Sequence, residues 1–170
     1  MKGIYFLYLR GDAMSTVLFT LVLTISLYFP RAAEGAVLEP LVMNHKGIQV
    51  EIVSANESLT QTKKFRIVLL CDTQEKRTRG LQGFRPLLRG EAALFVFEKP
   101  EAAVFWMGSV DFSIDIVFVD QKGSVIAVYR DCRPGSRELY PSGAPVKWVI
   151  ETSAGSNIRK GDLVKIVNVK

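Results

Sequence analysis

The chain has 170 residues, 48% of them hydrophobic, and carries a formal net charge of +5 at pH 7. This length leaves room for one domain and an appendage, and the hydrophobic share excludes an intrinsically disordered protein. Basic residues are spread along the sequence apart from a short cluster between Lys76 and Arg89. Nucleic-acid-binding proteins usually show a denser basic stripe interleaved with aromatic residues, so no nucleic-acid partner is expected.

Residues 1–35 have the layout of a secretory signal peptide. Lys2 and Arg10 precede residues 13–29, which contain no charged side chain, and small residues follow up to Gly35. A basic start, an apolar core and a small-residue exit are the parts of such a peptide. We therefore expect its removal and a periplasmic or secreted protein. The alternative is an uncleaved anchor in the inner membrane, because residues 13–29 approach the ~17–25 residues that span a bilayer.

A flexible leader is expected over residues 36–47, followed by a single β-rich domain over residues 48–170. Ile48–Val53 alternates apolar and polar side chains, which is typical of a half-buried strand. Phe65–Leu70 is apolar at most positions and predicts a more deeply buried strand.

A short helix is expected after these strands, beginning at Asp72 or Thr73 and ending at Gly80 or Gly83. Side-chain oxygens favour helix starts, and glycine favours helix ends. Further short strands are predicted in quick succession at Ala93–Phe97, Ala103–Met107, Ile114–Val119, Val125–Tyr129, Trp148–Glu151 and Leu163–Val169.

Turn signals separate these strands. Asp120–Gly123 predicts a tight hairpin because its glycine can take a positive φ. Residues 130–146 are rich in Pro, Gly and Ser and predict a long loop, and residues 154–159 predict a single helical turn. Many short strands with one short helix, and no strand–helix–strand alternation, indicate a mainly β fold, α+β at the margin. The expected architecture is a compact antiparallel barrel or sandwich.

Asp115 is the most informative carboxylate because it interrupts an apolar strand. Val117 and Val119 share its face, so the side chain is expected to be shielded from water. A buried charge is costly unless it is hydrogen-bonded or paired. One interpretation is a structural aspartate that contacts Arg77 or backbone N–H groups of the turn at residues 108–113. The other is a ligand-binding or acid–base carboxylate.

Trp106 and Met107 form the second candidate feature. Strand alternation places Phe105 and Met107 on one face and Trp106 on the other. Large aromatic residues often belong to the core. Alternatively, Trp106 is a stacking platform in a pocket that also contains Met107 and the polar turn residue Ser109.

Two charged residues complete the candidate site. Arg77 lies on the predicted helix, where most arginines are solvated, but its forked guanidinium makes it an obvious charge partner for Asp115. Glu151 is either an exposed strand residue, as glutamates usually are, or a member of the same network. The candidate binding residues are therefore Arg77, Trp106, Met107, Ser109, Asp115 and Glu151.

Cys71 and Cys132 are the only cysteines in the chain. In an oxidising compartment two cysteines can pair, so they are a candidate disulfide. The one histidine, His45, lies outside every patterned segment, so a Cys–His catalytic pair is not expected. A metal site usually needs three or four clustered ligands, and a phosphate-binding loop needs a glycine spacing that this chain lacks. No metal and no cofactor is therefore predicted.

The segment from about Phe65 to Lys165 resembles a known family. The motifs that carry the resemblance are Arg77-Thr78-Arg79-Gly80-Leu81, Leu94-Phe95-Val96-Phe97, Phe105-Trp106-Met107, Ser113-Ile114-Asp115-Ile116, Phe118-Val119-Asp120 with Gly123, Pro134, Val149-Ile150-Glu151 and Gly161-Asp162. Their joint order and spacing are similar to domain of unknown function 192, a small exported prokaryotic domain. After Trp-Met that family usually has Lys-Asn-Thr, where this chain has Gly108-Ser109-Val110. The resemblance implies a fold and an exported location, but no established reaction.

Three functions fit these observations. The first is a non-catalytic binding or accessory module of the cell envelope, in which an aromatic face and a carboxylate suit a small or glycan-like ligand. The second is a small hydrolase or lyase that uses Asp115 and Glu151 as acid and base. The third is a structural domain that docks an envelope protein. Contact with a membrane is expected only through the N-terminal segment, if that segment is uncleaved.

Overall fold

Alternating apolar side chains build nine strands in the part of the chain that this computed structural model describes, residues 47–54 and 61–168. The elements are β1 (Ile48–Val53), β2 (Thr62–Cys71), α1 (Gln74–Arg79), β3 (Glu91–Glu101), β4 (Val104–Trp106), β5 (Ile114–Val119), β6 (Val125–Cys132), β7 (Leu139–Pro141), β8 (Val146–Ser153) and β9 (Leu163–Asn168). The predicted signal peptide or anchor, and the leader up to Lys46, lie outside these residues. No helix in the two described ranges has the length and hydropathy that a membrane crossing requires.

Seven strands form one sheet in the order β6-β5-β8-β3-β2-β1-β9, and β4 pairs with β7 in a separate small sheet. All neighbours are antiparallel except β2 and β3, which are parallel. The large sheet curls into a half-barrel. The predicted mainly β fold with one short helix is therefore confirmed.

The parallel pair is a departure from the expected topology. β2, α1 and β3 form a strand–helix–strand unit, the kind of crossover that parallel neighbours require. The strand, the short helix and the following strand were each predicted, but not their parallel pairing. A single helix of six residues does not reveal from the sequence whether the strands on either side of it are neighbours in a sheet.

The ends of α1 are set by Thr73 and Gly80. The Thr73 hydroxyl accepts a hydrogen bond from the Lys76 backbone N–H at 3.3 Å, while Asp72 forms an ion pair with the Lys76 ammonium at 2.6 Å. Gly80 ends the helix with a φ of 49°. A Cβ added at Gly80 would lie 3.4 Å from the Phe95 ring, so the end of the helix packs closely on β3.

The hairpin between β5 and β6 closes one end of the half-barrel. Its predicted turn is confirmed, since the Gly123 N–H donates to the Asp120 carbonyl at 3.1 Å. Gly123 has a φ of 83°, and a Cβ there would lie 2.8 Å from the Val164 carbonyl oxygen of β9. Only glycine therefore permits this approach. A β-bridge between Ser124 and Leu163 joins the two edges of the sheet at the same place.

Each face of the large sheet buries its own apolar cluster. The inner cluster includes Val50 of β1, Leu94 of β3 and Val125 of β6. These three strands are not neighbours in the sheet, so the curvature of the sheet is what brings their side chains into one cluster. The outer cluster includes Phe95 and Phe118 and is covered by the small β4–β7 sheet. Edge-on or tilted ring contacts, with centroids 5.0, 5.7, 5.9 and 5.2 Å apart, link the two sheets in the order Phe95, Phe105, Phe118, Tyr129 and Tyr140.

Two predicted segments differ from the structure. The loop expected at residues 130–146 is shorter, because β6 continues into it and because it contains β7, a strand of three residues. The helical turn expected at residues 154–159 does not form. There, Ser156 is hydrogen-bonded to Asp115 and Asn157 takes a positive φ of 55°, which is incompatible with a helix.

Candidate functional site

Glu151 lies on β8, the strand between β3 and β5. Its register partners are Ala93 and Ile116, so its side chain shares the outer face of the sheet with them. The residue is only 5% exposed, and its Oε2 atom has no hydrogen-bond partner among the described residues. The expectation of an exposed strand position was wrong. Burial raises the pKa of the Glu151 carboxyl to about 8, because the charged form is poorly solvated there.

Arg77 lies on α1 and is held in place by neutral acceptors. Its guanidinium donates to the backbone carbonyls of Val96 at 2.8 Å and Asp72 at 3.2 Å, and to the Gln74 side-chain oxygen at 3.1 Å. The guanidinium carbon lies 5.2 Å from the centre of the Phe97 ring. Its Nε atom is buried and unpartnered within the described residues. Arg77 is thus a fixed group and not the solvated arginine usual on a surface helix.

Trp106 lies on β4, and the predicted alternation is confirmed. Phe105 and Met107 are buried in the outer cluster, while Trp106 on the opposite side is partly exposed. The indole Nε1 atom is nevertheless buried and finds no acceptor in the described part of the chain. The side chain is therefore partly available for contact, and its N–H group has no partner among the described residues.

These three residues line the same cleft. Its remaining walls are mainly apolar and come from Gly80, Leu81, Phe95, Val104, Phe105 and Val110. The cavity volume is about 10 Å³, roughly that of one water molecule. Buried polar atoms without a partner are rare in native proteins and each calls for an explanation. The three residues that carry these atoms line one concave, mainly apolar surface, which makes this cleft the candidate site.

Asp115 is placed on the opposite face of the sheet. In the register of β5 with β8, Asp115 lies opposite Thr152, the residue after Glu151. Successive residues of a strand point to opposite faces, so the two carboxylates lie on different sides of the sheet. Asp115 is fully buried. It accepts hydrogen bonds from the Asp131 N–H at 2.9 Å, the Ser156 N–H at 2.9 Å and the Ser156 hydroxyl at 2.7 Å.

These contacts correct the partners expected for Asp115. The carboxylate is shielded and accepts backbone N–H groups, as the structural interpretation requires, but its donors belong neither to Arg77 nor to the turn at residues 108–113. It fixes the segment after β8 to the segment at the end of β6. An acid–base pair of Asp115 with Glu151 is not formed, because a sheet separates them.

Comparison with known proteins identifies the family. The model of DUF192, described as uncharacterized ACR, matches residues 53–166, which is more than half of the chain. The chain belongs to this family. The resemblance found in the sequence is thus confirmed for the DUF192 domain. No curated protein matches the chain.

Two solved structures share the fold of this DUF192 domain. One, from Sinorhizobium meliloti 1021, is described as a "putative transcription regulator"; it is 22% identical over 70% of this chain and 92% of its own, with a TM-score of 0.65. The other, a protein of unknown function from Novosphingobium aromaticivorans, is 25% identical over 69% of this chain and 83% of its own, with a TM-score of 0.63. These similarities support the architecture and leave the activity open.

Gly108 gives this DUF192 domain a local feature of its own. It stands directly after the Trp-Met pair, where the family resemblance described above implies lysine. A Cβ at Gly108 would lie 2.2 Å from the Trp106 ring, so the indole folds against bare backbone. Glycine at this position is therefore part of what sets the Trp106 side chain at the cleft.

Two other candidate residues do not line the cleft. Met107 is fully buried in the outer cluster, where it serves packing, and Ser109 is half-buried in the turn after β4. The walls from Gly80, Leu81 and Val104 were not singled out in the sequence. Gly80 and Leu81 belong to the same family motif as Arg77, and this shared motif was the signal in the sequence that could have identified them as cleft residues.

The candidate disulfide is not formed in this structure. Cys71 and Cys132 are buried free thiols, on strands β2 and β6 that have β3, β8 and β5 between them. Burial raises the pKa of the Cys132 thiol to about 11 and that of Cys71 further, so both are unreactive at neutral pH. The described ranges contain no group of three or more His, Cys, Asp or Glu placed to bind a metal ion.

Proposed function

We propose that this protein is a non-catalytic binding module of the cell envelope, and that its ligand is a small hydroxyl-bearing molecule such as one sugar unit of a glycan. The observation that carries the proposal is the presence of three unpartnered buried polar atoms, on Arg77, Trp106 and Glu151, around one cleft. We further propose that residues 1–35 direct export to the periplasm or the medium. The alternative is an inner-membrane anchor formed by residues 13–29.

The chemistry of the cleft suits such a ligand. The Trp106 ring and the apolar walls can contact the C–H face of a sugar, and the buried polar atoms can meet its oxygen atoms. The cavity itself has a volume of only about 10 Å³, roughly that of one water molecule. We therefore expect a single oxygen-bearing group of the ligand to enter it, while the rest of the ligand lies outside against the partly exposed Trp106 side chain.

The hydrolase or lyase alternative has lost its main support. It relied on Asp115 and Glu151 acting together, and these residues face opposite sides of the sheet. Both carboxylate oxygen atoms of Asp115 already accept hydrogen bonds from the protein. The buried unpartnered atoms favour a small ligand over a docked protein, so the docking-domain alternative is not preferred.

A thermal-shift screen tests the proposal. Protein recovered from cells that express the full chain is heated with neutral and acidic mono- and oligosaccharides. A ligand that binds only the folded state stabilises it by about 2.7 kcal/mol at one hundred times its Kd, which raises the melting temperature by several degrees. Trp106→Phe removes the indole N–H and should abolish the shift.

The matched control is Trp148→Phe. Trp148 packs with the inner cluster on the other face of the sheet, so this change should leave the ligand-induced shift intact. The proposal is wrong if no saccharide shifts the wild-type protein, or if Trp106→Phe responds to the ligand as strongly as Trp148→Phe does.

A further inference from the structure

We infer that the group bound in the cleft is a carboxylate, so that the ligand is an acidic sugar and not a neutral one. This inference rests on the proposed function and specifies its ligand class. It follows from which atoms are left without partners among the described residues, from the charge they carry and from the mainly apolar side chains of the remaining cleft walls.

The first argument is the type of hydrogen-bonding group available. Arg77 Nε and Trp106 Nε1 are buried and unpartnered, and both nitrogen atoms are donors that cannot accept. Most of the remaining wall is contributed by apolar side chains such as Leu81, Phe95 and Val110. A ligand that supplies acceptors can therefore satisfy both donors. A carboxylate offers two oxygen atoms with about four lone-pair directions.

The second argument is charge. The acceptors that hold the Arg77 guanidinium are two backbone carbonyls and one amide oxygen, and none of them carries a negative charge. A cation beside an apolar cleft is costly unless an anion pairs with it. The exposed Glu75 carboxylate on the same helix interacts with the Arg77 charge. An anionic ligand would supply a second anion in the cleft itself, and planar carboxylates match the forked guanidinium geometry.

The third argument is the state of Glu151. A carboxyl group that is buried without a donor becomes protonated rather than remaining charged, and the protonated acid has an O–H to donate. A hydrogen bond from an O–H group to a carboxylate is short and about twice as strong as one between neutral groups. With Glu151 protonated, the cleft presents three donors and a net positive charge.

The neighbours of Glu151 make its protonation decisive for binding. Among the described residues, Arg77 of α1 lines the same cleft as Glu151, and the thiols of Cys71 and Cys132 interact with the Glu151 charge. Its register partners from β3 and β5, Ala93 and Ile116, are apolar. When the pH rises above about 8, Glu151 ionises; it then loses its O–H donor and repels a bound carboxylate.

The experiment compares pairs of sugars that differ in the acid group. Isothermal titration of the protein recovered from full-chain expression is carried out with glucuronate against glucose, and with N-acetylmuramate against N-acetylglucosamine. At pH 6.5 the acidic member of a pair should bind at least tenfold more tightly. Its affinity should fall by about tenfold per pH unit above pH 8, as expected for one required proton.

The variant Glu151→Gln separates protonation from packing. Glutamine keeps an N–H donor and cannot ionise, so the affinity of the variant for the acidic sugar should be the same at pH 6.5 and pH 9.5. The matched control is Glu98→Gln, at an exposed position, which should retain the pH dependence of the wild type.

The outcomes distinguish this inference from the proposed function. If a neutral sugar binds as tightly as its acidic partner or more tightly, the carboxylate inference is overturned while the proposed function stands. If no sugar binds, both fail. If the acidic sugar binds wild-type protein equally well at pH 6.5 and pH 9.5, the role assigned to protonated Glu151 is wrong.

Discussion

Glu151 destabilises the folded state whenever it is ionised. Its pKa is about 8 in the folded protein against an ordinary value of 4.5, so the folded state retains a proton that the unfolded state loses between these two pH values. The free energy of unfolding therefore falls as the pH rises from 4.5 to 8, and remains low above that window. A residue kept at such a cost to stability is typical of a functional site.

The substitution Glu151→Gln tests this directly. It should raise the free energy of unfolding by on the order of 3–5 kcal/mol above pH 8 and change it little at pH 4.5, because only the ionised carboxylate is destabilising. Urea denaturation at both pH values measures the effect. Glu98→Gln, at an exposed position, should have no such pH-dependent effect, and equal stability of the Glu151 variant and wild type above pH 8 would contradict the assignment.

Asp115 is expected to behave in the opposite way. Asp115→Asn replaces one acceptor oxygen by an NH₂ group that faces the N–H of Asp131 or Ser156. We expect a loss of about 1–3 kcal/mol in the free energy of unfolding, with ligand binding retained because Asp115 does not line the cleft. Chemical denaturation and titration with ligand measure the two effects, and Asp111→Asn, at an exposed position, is the matched control. Unchanged stability with lost binding would restore Asp115 as a functional residue.

Among the elements, the β5–β6 hairpin and β9 depend on one glycine. A Cβ at Gly123 would collide with the Val164 carbonyl at 2.8 Å, so Gly123→Ala should both strain the backbone and separate the turn from β9. The expected cost is about 2–4 kcal/mol, since strain at a positive φ alone costs about 1–3 kcal/mol. Thermal or chemical unfolding gives the value.

Gly135→Ala is the control for this change. Gly135 also has a positive φ, of 65°, but a Cβ there meets nothing within 4 Å. The difference between the two variants isolates the steric contact with Val164. If both variants lose the same stability, the close approach does not hold the half-barrel closed.

Most individual strands could be predicted from the sequence, but their arrangement could not. Ile48–Val53 and Ile114–Val119 are found within their predicted limits, because side-chain alternation is a local property. The parallel pairing of β2 with β3 and the three-residue strand Leu139–Pro141 depend on distant partners. Neither feature produces a local sequence pattern from which it could be predicted.

The same limit applies to the candidate site. Arg77, Trp106 and Glu151 were singled out from their residue types, and the structure brings them to one cleft from α1, β4 and β8. Asp115 was grouped with them because it interrupts an apolar strand and a buried carboxylate there needs a partner. Its face became clear only from the register of β5 with β8, where Asp115 pairs with Thr152.

For the whole molecule, two glutamates set opposite limits on stability. Glu91 is paired with Arg85 at 2.7 Å and Arg66 at 2.6 Å, and the hydrogen bond from Arg85 is the main reason that its pKa is lowered to about 2. Its contribution is present above pH 4.5 and is lost as the pH falls towards 2. Glu151 limits stability at higher pH, because its ionisation lowers the free energy of unfolding as the pH rises from 4.5 to 8.

These two groups together place the expected maximum of stability near pH 4.5. Melting temperatures measured at pH 2.5, 4.5 and 8.5 should therefore be highest at the middle value. In Glu151→Gln the decline on the alkaline side should be reduced, and the decline on the acidic side should remain. A wild-type maximum at pH 8 or above would contradict this balance of groups.

The N-terminal segment gives a prediction about the whole chain in the cell. Residues 13–29 carry no charge and are followed by small residues, so the protein recovered after expression of the full sequence should begin near Ala36 and be found outside the cytoplasm. Intact mass and N-terminal sequencing of the fractionated protein measure this. Recovery of chains that begin at Met1 in the membrane fraction would favour the anchor.

The order of strands in the large sheet has a consequence for the time at which the domain can fold. β8 joins the β6–β5 pair to the group of β3, β2 and β1, yet only β9 follows it in the chain. Until Val146–Ser153 has left the ribosome, the two groups share no neighbour, and the cleft has no Glu151. Folding that waits for such distant contacts is slow. A nascent chain therefore cannot complete the large sheet until most of residues 47–168 have been synthesised, which suits the export proposed for residues 1–35.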